Sequence, residues 1–410
     1  MDFEQKAAWH DEPETDTPIT AAELQRHEAG IVEGITKAET ALTAATRPVL
    51  LSNFKPSNTR KLRGSLAKAL LGTGNSTHVV IGDSLSSAYS GDAAVGFDFA
   101  GSWWRRVWAE LTAAGFPSAG TGRVAVTDFD PSADAGATVS PYDPRIAVTG
   151  SWTNTGNYLL STEAGDAVTF TSEIAGTGVD VFYLDQTGGG AFTVAIDGAE
   201  PVTVNMTGDG TWERTTYTVN GLANTTHTVV VTAAAANTIV IGFRVRTGTP
   251  GVAFDNLGVK YGISAYNWDT SADDLGAGHL TQAYCTDADV IHIALGSNDF
   301  TNGGPNGYQD GLAAIESIRG KFPNADAILY IEPGVDQSPD YDALAAGIRA
   351  LSVTLDCPLV DLSVRYGTYS DIATAQLLGP DGVHYNSVGQ SDWGAVAFDA
   401  IRSVGPRHLP

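Results

Sequence analysis

The sequence predicts an α/β protein: a doubly wound parallel sheet, with an all-β sandwich inserted after the first strand and a helical segment ahead of it. Three observations carry this. Short apolar runs that end at glycine, such as His78–Gly82 and Ala288–Leu295, alternate with helical periodicity in two separate stretches of the chain. Between residues 119 and 254 the texture changes to Thr, Gly, Val and Ala with very few Lys or Arg, and apolar residues recur at period two. Residues 1–48 hold a polar lead and one long amphipathic pattern. The expected division is therefore 1–48, a discontinuous α/β domain of 49–118 with 255–410, and a sandwich of 119–254.

Taken in order, Thr20-Ala21-Ala22-Glu23 forms a capping box, with Ile19 before it as a staple. Leu24, Ile31 and Ala38 repeat at seven, with Ile35 and Leu42 at the same step, so a helix should end near Ala45, before Pro48. It is either docked on its own domain or an oligomerising helix. A basic helix follows over Asn58–Leu71, closed by Gly72. Val79–Ile81 form a strand buried on both faces. Phe99–Leu111 reads as a helix with Trp104, Trp108 and Leu111 on one face.

In the sandwich, strands are expected at 167–170, 179–183, 192–196, 215–219, 227–231 and 239–243, separated by turns such as Asp197-Gly198. Trp152, Tyr183 and Trp212 are candidate sugar platforms, though core or rim aromatics are commoner. Further on, strands are expected at 254–259, 288–295, 327–331 and 358–362, and helices near 309–320, 341–351 and 387–403. The ends of the insertion must lie close together.

A net charge of −24 argues against nucleic acid as a partner. The cluster Lys55, Arg60, Lys61, Arg63 and Lys68 reads as a solvated helix face. Cys285 and Cys357, the two cysteines, suit small buried apolar roles. No apolar run is long enough to span a membrane, and MDFEQKAAWHDEPETD lacks the apolar core of a signal peptide. No His, Asp or Glu cluster has metal spacing, and no cofactor is expected.

The chemistry stands at strand ends. Gly82-Asp83-Ser84-Leu85 delivers a serine at the carboxyl end of a strand. Gly296-Ser297-Asn298-Asp299 follows the strand Ile291–Leu295, and Asp381-Gly382-Val383-His384 precedes the last helix. Ser84 needs a base to take its proton. His384 can serve, with Asp381 holding the imidazole. Asp83 and Asp299 read as structural groups that bond loop backbone, and His292 as a core residue.

In that order these motifs resemble the blocks of the GDSL, or SGNH, hydrolases, with Gly262 in Gly258-Val259-Lys260-Tyr261-Gly262 as the second block. The resemblance covers most of the chain outside the N-terminus and the insertion. It implies a serine esterase with an acyl-enzyme and an oxyanion site made by the Ser84 N–H, the Gly262 N–H and the Asn298 side-chain amide. Gly120 and Gly122 compete with Gly262 for the second-block role. The insertion is similar to jelly-roll, carbohydrate-binding-like modules, either glycan binders or spacers. The segment WHDEPETDTPITAAELQRHEAGIVEGI resembles the N-termini of tail and fibre proteins of phages infecting actinobacteria. Together these resemblances imply a virion tail component, a homotrimer with other tail proteins as partners, and O-acetyl groups of bacterial cell-envelope polysaccharide as the target, with lipid or mycolate esters second.

Overall fold

A computed structural model of the chain describes residues 50–87, 101–126, 143–154, 158–185, 189–206, 213–258, 263–270, 288–300, 304–332 and 339–405. The expected N-terminal helix, Trp212, Gly262 and Cys285 lie outside the described residues.

The described residues open with β1 (Leu51–Ser52), α1 (Arg60–Leu70), β2 (Ser76–Gly82) and α2 (Trp103–Ala113). It then runs through β3 (Val124–Ala125), β4 (Ile146–Thr149), β5 (Trp152–Asn154), β6 (Leu159–Ser161), β7 (Ala167–Thr171), β8 (Gly176–Asp185), β9 (Ala191–Ile196), β10 (Val202–Asn205), β11 (Glu213–Thr225), β12 (Thr228–Ala233) and β13 (Ile239–Arg246). It returns through β14 (Val252–Gly258), α3 (Ala265–Thr270), β15 (Val290–Ala294), α4 (Tyr308–Lys321), β16 (Asp326–Ile331), α5 (Pro339–Thr354), β17 (Leu359–Asp361), α6 (Leu362–Tyr366), α7 (Tyr369–Thr374) and α8 (Ser387–Val404).

The central sheet has the order β1-β17-β16-β15-β2-β14. All its pairings are parallel except β1 against β17. Chain order runs outward to β14 on one side of β2 and to β15, β16 and β17 on the other. The winding therefore reverses between β2 and β15, and in open α/β sheets the crevice at such a reversal is where ligands bind. All seven residues of β2 are buried. Val79 and Ile81 enter one apolar cluster and Val80 the other, which explains why this strand reads as an unbroken apolar run.

The two faces are covered differently. On the Val80 side lie α1, α2 and α8, with Trp103 and Trp393 stacked at a centroid distance of 5.0 Å. On the other side α4 and α5 contribute Ile315, Ile318, Leu344 and Ile348. That same cluster takes in Tyr158, Phe182, Leu184, Ile239 and Ile241 from the antiparallel strands.

Those strands form two sheets, β10-β9-β12-β7-β4 and β11-β8-β13-β6-β5 with β3 on β13. Phe170, Phe192, Val229 and Val231 from the first share a core with Val179, Val181, Phe243 and Val245 from the second. β8 and β13 are thus buried on both faces, one toward the partner sheet and one toward the parallel sheet. The chain enters and leaves this region side by side. Val252 N–H donates to Pro117 C=O at 2.7 Å and Ala119 N–H to Val252 C=O at 3.0 Å.

Several details differ from the sequence reading. The second helix starts at Trp103, because Ser102 is extended (φ −66°, ψ 148°). Its buried face is Trp103, Trp104, Val107 and Leu111, while Trp108 lies to the side under the Arg105 guanidinium at 4.6 Å. Arg105 in turn pairs with Glu173 at 2.6 Å, which ties α2 to the antiparallel region. Trp152 and Tyr183 are each 6% exposed and belong to the core shared by the two antiparallel sheets, so neither is a sugar platform. β1, β3 to β6, β10, α3, α6 and α7 were not expected. They are short elements without a full period of pattern. Lys55, Arg60, Lys61, Arg63 and Lys68 are exposed, and Cys357 is buried, as expected.

Candidate active site

Ser84 sits in a tight turn at the carboxyl end of β2. A Cβ on Gly82 would stand 2.4 Å from the Ser86 side chain and 2.9 Å from Ala294 O, so the strand turns this sharply only with glycine there. The Asp83 C=O accepts from the Ser86 and Ser87 N–H groups at 3.1 and 3.0 Å. Asp83 Oδ1 accepts from Leu85 N–H at 2.8 Å. From outside, Gln390 of α8 donates to Leu85 C=O at 3.0 Å and accepts from Trp103 N–H at 3.0 Å. Trp104 Nε1–H donates to Ser86 C=O at 3.2 Å. The turn that carries Ser84 is thus braced by its own backbone and by two helices. Ser84 itself is 7% exposed.

His384 reaches that serine from 300 residues away in sequence, with Nε2 2.9 Å from Ser84 Oγ. Its Nδ1 lies 2.7 Å from Asp381 Oδ2. The other carboxylate oxygen of Asp381 accepts from the Val383 and His384 N–H groups at 2.9 and 3.0 Å. Burial works to raise the Asp381 pKa. The two backbone N–H groups and the imidazole outweigh it and hold the carboxyl below its ordinary value. An ionised Asp381 accepts a hydrogen bond from Nδ1–H, which leaves Nε2 as the acceptor for Ser84 O–H. The loop depends on Gly382 at φ +69°, whose C=O accepts from Tyr369 Oη–H at 3.0 Å.

Asn298 follows β15, across the sheet reversal from Ser84. Its Nδ2 donates to Asp83 Oδ2 at 2.8 Å and to Ile263 C=O at 3.1 Å. Both amide hydrogens are therefore used within the protein. Donation to an oxyanion requires exchange of one of them, and the longer bond, to Ile263, is the one to give way.

Beneath Asn298 lies a group of buried acids. Asp83 and Asp299 are fully buried and Glu332, directly after β16, is 3% exposed. Asp299 accepts from Ala265 N–H at 2.9 Å and Tyr266 N–H at 3.3 Å, and burial pushes its carboxyl up to about 6. Glu332 is pushed up to about 7, by burial first, with Asp299 adding to it and Ser297 opposing it. Asp83 is raised well above the carboxylate range by burial and by Glu332. Asp83 and Asp299 do bond loop backbone as the sequence reading held. Glu332 and Gln390 were missed. The signal for Glu332 was available, an acid placed directly after an apolar parallel strand. Gln390 carried none, since one polar residue in a helix gives no sign that it is buried.

Gly120 and Gly122 pack on the backbones of β13 and β14. A Cβ would meet Val245 O at 2.0 Å from Gly120 and Phe254 O at 1.8 Å from Gly122. They serve the junction of the two regions, short of the strand ends where the other motif residues meet.

No family model matches the chain, and no curated protein matches it. Solved structures do. A structure described as a peptidoglycan O-acetylesterase in action superposes with a TM-score of 0.63 at 15% identity, covering 87% of this chain and 99% of its own. The chain shares its fold with that esterase. Residues outside 119–254 make up only about two thirds of the sequence, so the match extends into the antiparallel sheets. A family two carbohydrate esterase from Clostridium thermocellum, in complex with cellohexaose, gives a TM-score of 0.27 at 14% identity over 63% of this chain and 98% of its own. The lipase/acylhydrolase from Enterococcus faecalis gives 0.30 at 19% over 37% and 77%. These last two scores are too low to carry weight.

Among the described residues no helix is long and apolar enough to cross a membrane, and no group of three or more His, Cys, Asp or Glu could hold a metal ion.

Proposed function

We propose that the chain is a serine carboxylic ester hydrolase that removes acyl groups, acetyl first among them, from bacterial cell-surface polysaccharide. The observation that carries this is the continuous line Ser84 Oγ, His384 Nε2, His384 Nδ1, Asp381 Oδ2, with gaps of 2.9 and 2.7 Å. It lies at the sheet reversal of a fold shared with a peptidoglycan O-acetylesterase.

Ser84 Oγ attacks the ester carbonyl as His384 Nε2 takes its proton. Asp381 stabilises the imidazolium. The developing oxyanion draws on the Ser84 N–H, the Gly262 N–H and the Asn298 amide, the last released from Ile263 C=O. One such donor contributes about 2.7–4 kcal/mol to the barrier reduction. His384 then protonates the departing sugar oxygen, leaving an acyl-serine. A water that gives its proton to His384 hydrolyses the acyl-serine. The Asp381 and His384 side chains are 35% and 16% exposed, so the reacting line opens to solvent and suits an acyl group carried on a polymer.

The remainder of the reading is a tail-borne enzyme with residues 1–48 as the attachment and trimerisation segment. It rests on the resemblance of the N-terminal stretch, and light scattering of the whole chain against a chain lacking 1–48 tests it. Sugar binding by residues 119–254 rests on resemblance too, and Trp152 and Tyr183 give it no support. An intact Ser84–His384–Asp381 line favours catalysis over a purely adhesive role. Acetate release from O-acetylated bacterial envelope polysaccharide tests the reading. Release is expected with the native protein and none with Ser84→Ala, and equal release by both would overturn it.

A further inference from the structure

Glu332 closes β16 beside the site, and the acyl-transfer steps above give it no task. Its Oε2 accepts from the Ser297 N–H at 3.3 Å and from the Ser297 hydroxyl. Its Oε1 is buried and meets no hydrogen-bond donor. A carboxylate oxygen in that state is costly unless it carries a proton. The facing carboxyl is that of Asp83, and its two oxygens are already occupied by the Leu85 N–H and the Asn298 amide, each at 2.8 Å. Burial and mutual crowding push both carboxyls up, so the pair holds one proton between them, and an N–H donor on each Asp83 oxygen makes Asp83 the ionised member. The oxygen without a donor makes Glu332 the protonated one.

We propose that Glu332 is a positioning residue of the ester-hydrolase site: its carboxyl proton is donated to Asp83 and keeps Asp83 aligned on Asn298 and on the nucleophile turn.

The titratable groups around the pair agree with one proton held between Glu332 and Asp83. Asp83 faces it from the end of β2 and Asp299 from the loop after β15. Tyr341 of α5 donates its hydroxyl to the Glu332 C=O at 2.6 Å, with the Arg349–Asp361 pair behind it. Tyr385 adds a further phenol. Among the described residues no Lys or Arg forms an ion pair with Asp83, Asp299 or Glu332. The three carboxyls also lack a metal-holding arrangement. A proton is what remains to offset the crowded acids.

The kinetic part of the test rests on the ester-hydrolase reading, and the spectroscopic part does not. In infrared spectra of the whole protein carrying 13C-carboxyl glutamate, a protonated-carboxyl band should be present at neutral pH, fade as pH rises, and be missing from Glu332→Gln. Absence of that band in the native protein overturns the proposal whatever the activity, and since native spectra decide this, a variant that fails to fold leaves the test intact. With a soluble acetyl ester, kcat/KM of the native protein should fall on the alkaline side as Glu332 ionises. Glu332→Gln, whose amide still donates to Asp83, should stay within about threefold of native and lose that fall, while Glu332→Ala should lose about tenfold at all pH. Identical pH profiles for the native protein and Glu332→Gln, or a Gln variant as damaged as the Ala variant, would overturn the proposal. A native protein that shows the band but turns over no ester would sink the hydrolase reading alone.

Discussion

Two buried polar groups lie within the same sheet and solve burial in opposite ways. On the α2 and α8 face, a hydrogen-bonded line crosses three strands and reaches α1. Tyr330 Oη meets His292 Nδ1 at 2.9 Å, His292 Nε2 meets His78 Nδ1 at 3.0 Å, His78 Nε2 meets Ser76 Oγ at 3.1 Å, and Ser76 Oγ meets Ser65 Oγ at 2.7 Å. Ser65 finally donates to Leu62 C=O at 3.2 Å. A carbonyl only accepts, so that last bond fixes the direction of every proton before it. Ser76 must donate to Ser65, His78 Nε2–H to Ser76, His292 Nε2–H to His78 Nδ1, and Tyr330 to His292. The line is complete with both histidines neutral, and one more proton would place an N–H on His292 Nδ1 and deprive the Tyr330 hydroxyl of its acceptor. At the strand ends, by contrast, Asp83, Asp299 and Glu332 bring more acceptors than the surrounding N–H groups can fill. The scaffold holds a network with no proton missing. The site holds one that closes only with an added proton, taken up by the Glu332 and Asp83 pair on which Asn298 rests.

The largest expected effect separates chemistry from scaffold. Ser84→Ala should lower turnover of an acetyl ester by about 10⁴-fold or more while leaving the melting temperature unchanged, as steady-state assay and calorimetry would read. His292→Ala should do the reverse. It leaves His78 Nδ1 and Tyr330 Oη without partners and opens a cavity, and should cost about 3–5 kcal/mol in chemical denaturation with little change in kcat per folded molecule. A large loss of kcat without loss of stability would erase the distinction. Asn298→Ala, which touches both the site and the acids beneath it, should reduce kcat about 10²–10³-fold with KM nearly constant.

The smallest effects are the pH slopes, and they carry opposite signs. Burial lowers His78 to about 3 and His292 well below its ordinary value, with His78 adding to the latter. The unfolded chain therefore binds the extra protons below about pH 6.5, down to about 3 for His78, and stability should fall with acid over that range by up to about 1.4 kcal/mol per histidine per pH unit. Glu332, raised to about 7, binds its proton in the folded state, so its contribution should be lost as pH rises from its ordinary 4.5 through 7. Replacing both histidines by phenylalanine should flatten the acid limb, and Glu332→Gln the other. Melting curves from pH 3 to 8 would separate them.

Much of this was legible in the residues. β2 and β15 announce themselves because both are buried throughout and carry the apolar runs Val79–Ile81 and Ile293–Leu295. The motifs at their ends follow, since a glycine and then a polar residue after such a run has few other uses. His78 and His292 show in the sequence as lone polar residues in apolar strands, but their pairing across two strands depends on register, which no local pattern records. The contact between the antiparallel strands and the parallel sheet was also missed. Its trace was in Val179-Asp180-Val181-Phe182-Tyr183-Leu184, where Phe182 and Leu184 are apolar on the face a two-layer sandwich would give to water. Because that face lines the same core as Val79 and Ile81, removal of residues 119–254 should unfold the chain, and such a deletion cannot report on adhesion alone.

The most direct measurement is to trap the covalent intermediate. The protein, mixed with an activated acetyl ester, quenched in acid and digested for mass spectrometry, should carry one acetyl group on the peptide containing Ser84, and Ser84→Ala should carry none. Acetyl found on another residue, or steady hydrolysis by Ser84→Ala, would contradict the account.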